Sequence, residues 1–137
     1  MADILDVNVG YPGVDDVILF PETVKVIQKE FDIPPCLDSP NPKAIAATLR
    51  VAKGKCLINS VNGEERSLSV ILPVTRDYGA AVTGLVMDDD GITNESVRRL
   101  KIAEKIVELA IKTGIKSEDI FIDISPWQLV QIPMPAL

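Results

Sequence analysis

Five side chains of one chemical kind recur at matching places in this chain. Asp6 and Asn8, Asp38, Asn59, and Asp123 each sit at the end of a short apolar run, just before a turn. A carboxylate accepts hydrogen bonds from an amino group and an adjacent ring N–H at once, and a carboxamide both donates and accepts. That set suits a neutral heterocycle bearing donors and acceptors. It does not form a phosphate cradle: "NVGYPG" is not a dinucleotide fingerprint, and no P-loop Gly-Lys-Ser/Thr occurs.

The chain contains no histidine, which removes imidazole bases, His-ligated zinc and the common catalytic triads. Cys36 and Cys56 make no metal motif and are too few for a disulfide framework, so both are expected as buried thiols, with no metal bound. A net charge of -6 with scattered basic residues argues against a nucleic-acid surface. No stretch is apolar enough to span a bilayer, and "MADILDVNVG" lacks the basic start of a signal peptide. The expected compartment is the cytoplasm.

The elements that must position these groups alternate in period. "ADILDVNV", "PPCLDS", "KCLINS", "AAVTGLVM" and "DIFIDIS" read as strands. Between them, Val17, Phe20, Val24, Ile27 and Phe31 mark one helix face. Ile45, Leu49 and Ala52 mark a second, over 41–53, with Asn41 as N-cap and Pro42 following it. Leu68, Ile71, Leu72 and Val74 mark a third over 64–78, which Pro73 is expected to kink or divide. Val97, Leu100, Ala103, Ile106, Val107 and Ala110 mark a fourth, capped by Thr93 or Asn94 and closed by Gly114. Asp88 to Asp90 and Asn62-Gly63 read as turns.

Strands alternating with amphipathic helices indicate a parallel α/β sheet with right-handed crossovers. In such folds ligands bind at the C-terminal ends of the strands, where the five polar residues fall. The alternative is that Asp and Asn merely serve turns and caps there. Strand parity puts Cys36 on the side of Asp38 and Cys56 opposite to Asn59, which argues against a disulfide. The donor and acceptor pattern matches the pyrimidine edge of a pterin.

The segments "LDVNVG", "CLDSPNP.AI", "K.LINSV.GE", "GLVMDD.GI" and "RL.IAEKIVE.A...GI..EDIFID" resemble the pterin-binding methyltransferases. The likeness is nearest to methyltetrahydrofolate:corrinoid/iron-sulfur protein methyltransferase. The folate domain of cobalamin-dependent methionine synthase and dihydropteroate synthase are more distant relatives. The resemblance implies a TIM barrel with the pterin at its C-terminal mouth, held by Asp38, Asn59 and Asp123, with Asp6 and Asn8 nearby. It implies methyltetrahydrofolate as substrate and a corrinoid carried by a partner protein, whose cobalt takes the N5-methyl group.

A full barrel takes about 250 residues, and this chain carries five strands, matching the second to sixth of the family. No residue here matches the family's further Asn on the seventh strand. We therefore expect one partial barrel over residues 1–137, with βα units over 1–124 and an atypical apolar tail over 125–137 that includes Trp127. A half-barrel of this kind is expected to form a homodimer, with Val9, Cys36, Leu57, Leu85 and Phe121 on its open face. The competing readings are a non-catalytic oligomeric half-barrel and a dihydropteroate synthase-like protein. Against the latter, the Gly-Gly motif and basic phosphate-binding cluster expected of that enzyme are not evident.

Overall fold

A computed structural model describes residues 2–124. Strand β1 (Leu5–Val7) leads to helix α1 (Asp16–Glu30), then β2 (Pro35–Asp38), α2 (Pro42–Leu49), β3 (Leu57–Asn62), α3 (Glu65–Asp77) and β4 (Ala81–Leu85). A two-stranded hairpin follows, β5 (Met87–Asp88) and β6 (Gly91–Ile92), then α4 (Ser96–Thr113), a 3-10 turn (Ser117–Asp119) and β7 (Ile120–Asp123). The main sheet is parallel throughout, in the order β1-β2-β3-β4-β7. The tail over 125–137 lies outside the described residues.

Register explains why the strands are so apolar. Val7, Leu37, Ile58 and Val82 are successive partners across β1 to β4, and all four are buried under the helices. Phe20 and Val24 of α1, Ile45 of α2, Leu68 and Leu72 of α3, and Ile106 of α4 complete that core. Burying each such side chain contributes about 1.5–3 kcal/mol. Gly84 makes the α4 contact possible, since a Cβ there would lie 2.8 Å from Ile106 Cγ2.

Several local expectations are corrected. The second helix stops at Leu49 rather than near residue 53, and Pro73 lies inside a continuous α3. Phe31 caps the end of α1 and is exposed. Val97 and Leu100 of α4 are 66% and 60% exposed, because Ile102, Ile106 and Ala110 form the buried stripe instead. Glu95 is the N-cap of α4, and Thr93 Oγ1 accepts from the Glu95 N–H at 3.2 Å. The turn expected over Asp88 to Asp90 is present as the hairpin turn between β5 and β6, and Asp88 there also takes a 2.6 Å and a 3.2 Å bond from Arg98. Val9 packs against the helix-side core rather than the open face, whereas Cys36 lies on the open face and is buried there as expected. Among the described residues, no helix is long and apolar enough to cross a membrane.

Candidate functional site

The residues on the other face of the sheet define the site. Alternation along each strand puts Asp6 and Asn8, Cys36 and Asp38, Leu57 and Asn59, Thr83 and Leu85, and Phe121 and Asp123 on the face away from the helices. Thus Asp6, Asn8, Asp38, Asn59 and Asp123 share one face.

Asp38 and Asn59 are direct register partners at the top of β2 and within β3. Neighbouring strands stand about 4.8 Å apart, so this carboxylate and carboxamide form a paired polar edge. Asn59 pairs onward with Thr83. The strand does not end at Asn59 as the sequence suggests. A bulge between Asn59 and Val61 adds one residue, the Asn59–Ser60 peptide is cis, and β3 runs on to Asn62. The extra residue resets the alternation, so Asn62 returns to the face of Asn59 and partners Leu85, which in turn partners Asp123.

A cleft of about 540 Å³ opens beside this row. Asp38, Asn59, Ser60 and Asn62 line its sheet end, and Pro40, Pro42, Val70 and Ile71 line its walls. Asp6, Asn8 and Asp123 are not among the lining residues. Asp6 lies deeper, opposite Cys36, and Asn8, just past the end of β1, flanks Asp38. Asp123 sits on the same face, two strands beyond Asn62.

Local bonds fix the rim. Asn8 Nδ2 donates to Asp38 Oδ2 at 2.8 Å. Asp38 does not cap α2, because Asn41 does, accepting the Lys43 N–H at 3.0 Å. The loop between them is anchored by Asn41 Nδ2 to Asp16 Oδ1 at 2.8 Å and by the Asn41 N–H to Ser39 Oγ at 3.1 Å. Asp38 is therefore spare for a ligand by position and held in place by its neighbours.

Burial, reinforced by a hydrogen bond to Asp6 and by the charges of Asp6 and Asp38, pushes the Cys36 thiol up to about 12. Cys56, on the opposite face, is also pushed up by burial. Both are free and protonated at neutral pH, so neither is a ready nucleophile. Among the described residues no group of three or more His, Cys, Asp or Glu is placed to hold a metal ion.

Sequence reasoning missed Asn62, read as half of a turn dipeptide, and the cleft residues Glu64 and Arg66 beyond it. Val61 continues the strand after Ser60, but no residue there marks the bulge that returns Asn62 to the face of Asn59. Gly63 is not a left-handed turn residue but a close approach, where a Cβ would lie 2.9 Å from both Ile102 Cγ2 and the Met87 carbonyl oxygen.

Five parallel strands with helices on one face, and a polar cleft at their C-terminal ends, describe part of a TIM barrel. Residues 2–126 match the sequence profile of the pterin binding enzymes, and the chain belongs to that family. It is 29% identical over 128 residues to methionine synthase from Mycobacterium tuberculosis, covering 89% of this chain and 11% of that protein. It is 30% identical over 100 residues to methylcorrinoid:tetrahydrofolate methyltransferase from Eubacterium limosum, covering 72% of this chain and 37% of that one. The fold matches a dihydropteroate synthase from Clostridium difficile, solved in the presence of pteroic acid, with a TM-score of 0.70 and 23% identity. That match covers 89% of this chain and 49% of the synthase chain. The chain thus spans about half the length of that structure, and a smaller share of the two sequence relatives.

Proposed function

We propose that the chain binds a reduced folate by its pterin ring and takes part in methyl transfer between N5 of that folate and the cobalt of a corrinoid protein. The observation that carries the reading is the register pair Asp38 and Asn59 at the polar end of the cleft. The Asp38 carboxylate accepts from the pterin's amino group and ring N–H, and Asn59 satisfies the adjacent ring edge with one donor and one acceptor. Asp123, on the same face, completes the hold on the far side of the ring. Asn8 and Asp6 stand behind Asp38.

The corrinoid, presented by a partner protein, supplies the cobalt that exchanges the methyl group. This chain's part is to orient N5 toward the open mouth and to keep the pterin hydrogen-bonded as charge changes at N5. In one direction the N5–CH3 bond breaks as the methyl group leaves, and its electron pair stays on N5 with a proton. In the other, N5 gives up that proton and uses the freed pair to take the methyl group, while the pair of the broken methyl–cobalt bond stays on cobalt. The name of the Eubacterium relative supports the second direction, and the same contacts serve both.

The reading extends to a homodimer acting in the cytoplasm. Its support is that β1 and β7 are the sheet's outer strands and that Phe121 on the open face is 53% exposed. Sedimentation velocity at micromolar concentration tests the assembly; a monomer overturns that part.

Titration calorimetry with tetrahydrofolate tests the site. Wild-type binding is expected, weakened about tenfold or more by Asp38→Ala and by Asn59→Ala. No binding by folded wild-type protein at millimolar ligand overturns the reading. Loss of the Co(I) corrinoid absorbance with methyltetrahydrofolate then tests transfer.

A further inference from the structure

Helix α4 carries two apolar stripes, and the fold buries only one. Ile102, Ile106 and Ala110 face the core, and Leu109 and Thr113 meet Leu68 and Leu72 of α3. The second stripe is Val97, Leu100, Val107 and Ile111, on the far side of the helix from α3. Val97, Leu100 and Ile111 are 66%, 60% and 51% exposed, and Val107 is half-buried. With Glu104 included, the stripe advances in alternate steps of three and four residues: 97, 100, 104, 107, 111. That is the spacing of a seam by which one helix packs along another.

The charges beside the seam name its occupant. Lys101 and Glu108 lie on one flank, each one residue past a seam position, and both are exposed. Among the described residues neither has an ion-pair partner, nor has Glu104, whereas Arg98 and Lys105 of the same helix do. The other flank holds Ala103 and Ala110, which pack toward the chain's own core. Only one flank is therefore charged. In an antiparallel pair of identical helices that flank faces itself running the other way, so Lys101 of each copy meets Glu108 of the other. A parallel pair sets the charged flank against the alanine flank and makes neither ion pair. The pattern thus complements itself about a two-fold axis near Glu104.

We infer that the outer face of α4 is a docking surface for α4 of a second copy of this chain, packed antiparallel along the Val97 to Ile111 seam and held in register by two Lys101–Glu108 ion pairs. This rests on the homodimer reading and names the contact for it. Leu100 and Val107 of the two copies interleave at the middle of the seam, and Val97 of each meets Ile111 of the other. Glu104 is the polar residue of the seam and falls beside its own copy at the axis. It costs affinity and disfavours other registers, as a single polar seam residue does. Helix α3 stands between this seam and the cleft, so the Asp38 and Asn59 end stays open in the dimer. One helix pair lies at the small end of specific interfaces, which sets the expected dissociation constant in the micromolar range.

Sedimentation velocity of the full chain, over about 1 to 100 µM, tests the contact. Wild type is expected to dimerise, and Leu100→Asp to be monomeric throughout. Lys101→Glu sets two acidic pairs across the seam and is expected to weaken the dimer about tenfold or more. The double variant Lys101→Glu/Glu108→Lys exchanges the charges within each copy and is expected to restore wild-type association. Glu104→Leu is expected to tighten the dimer about tenfold. All four positions are exposed, and circular dichroism verifies the fold of each variant. A dimer that withstands both Leu100→Asp and Lys101→Glu overturns the α4 contact and leaves the homodimer standing. Failure of the double variant to recover overturns the antiparallel register. A wild-type monomer at the highest concentration overturns the contact and the homodimer together.

Discussion

Asn8 bridges two partners at equal distance: its amide donates to Asp38 Oδ2 at 2.8 Å, and its Oδ1 accepts the Gly10 N–H at 2.8 Å. The backbone bond orients the side chain with its amide toward the carboxylate. Asn8 is exposed and outside the core. Asn8→Ala is therefore expected to weaken folate binding severalfold with a melting shift of no more than a few degrees. Asn8→Asp sets a second carboxylate against Asp38 and is expected to weaken binding further. Calorimetry and thermal melts check both, and wild-type affinity in Asn8→Asp would show that Asp38 does not hold the ligand.

Arg98 ties the hairpin of β5 and β6 to α4 through Asp88 and Asp90. The Arg98 side chain holds the Asp88 carboxyl below the usual value of 3.8 against an opposing effect of burial. A carboxyl depressed in the native state contributes stability above its unfolded pKa and loses it as the pH falls below about 4. Asp88→Asn is expected to lessen the loss of stability as the pH falls below about 4 and to speed amide exchange at Gly91 and Ile92. Unchanged acid unfolding and exchange would count against the tie.

The strands and their polar ends were legible because burial on the helix side demands apolar runs, and parity then fixes what faces the other way. Asp38 and Asn59 follow from that logic. Asn62 did not, because a bulge changes the parity locally and nothing in "NSVNGE" marks the inserted residue. The buried stripe of α4 was misplaced for a related reason. The helix carries apolar residues on several sides, and only packing against Gly84 and Gly63 selects Ile106 and Ile102 over Val97 and Leu100. The hairpin was hidden because "GLVMDDDGI" reads as one run and a turn, while Arg98, ten positions away from Asp88, holds it.

Gly84 and Ile106 test that packing directly. An added Cβ at Gly84 would lie 2.8 Å from Ile106 Cγ2 and 3.2 Å from Ile122 Cδ1. Gly84→Ala is expected to destabilise the protein by about 1–3 kcal/mol. Ile106→Ala alone also destabilises, by removing a fully buried side chain. The double variant Gly84→Ala/Ile106→Ala is expected to cost less than the sum, because the new methyl enters the space vacated. Denaturant melts of the four proteins give the coupling, and strict additivity would mean that α4 does not press on β4 at this point.

Cys36 reports on the carboxylates around it. Its thiol stands at about 12 through burial first, then the hydrogen bond to Asp6 and the charges of Asp6 and Asp38. A thiol raised from its reference value of 9.0 holds its proton in the folded state after the unfolded chain has lost it. Its contribution to stability is therefore complete below about pH 9 and declines as the pH rises from about 9 to 12. Cys36→Ala is expected to remove part of that decline, with the rest due to Cys56 and other groups titrating there. Asp6→Asn takes away a charge that disfavours the thiolate, so it is expected to lower the Cys36 value and accelerate alkylation by iodoacetamide at pH 9 in a Cys56→Ala background. Alkylation rates in Asp6→Asn equal to those with Asp6 in place, across pH 8 to 10, would show that Asp6 does not face the thiol and would remove it from the polar cluster behind Asp38.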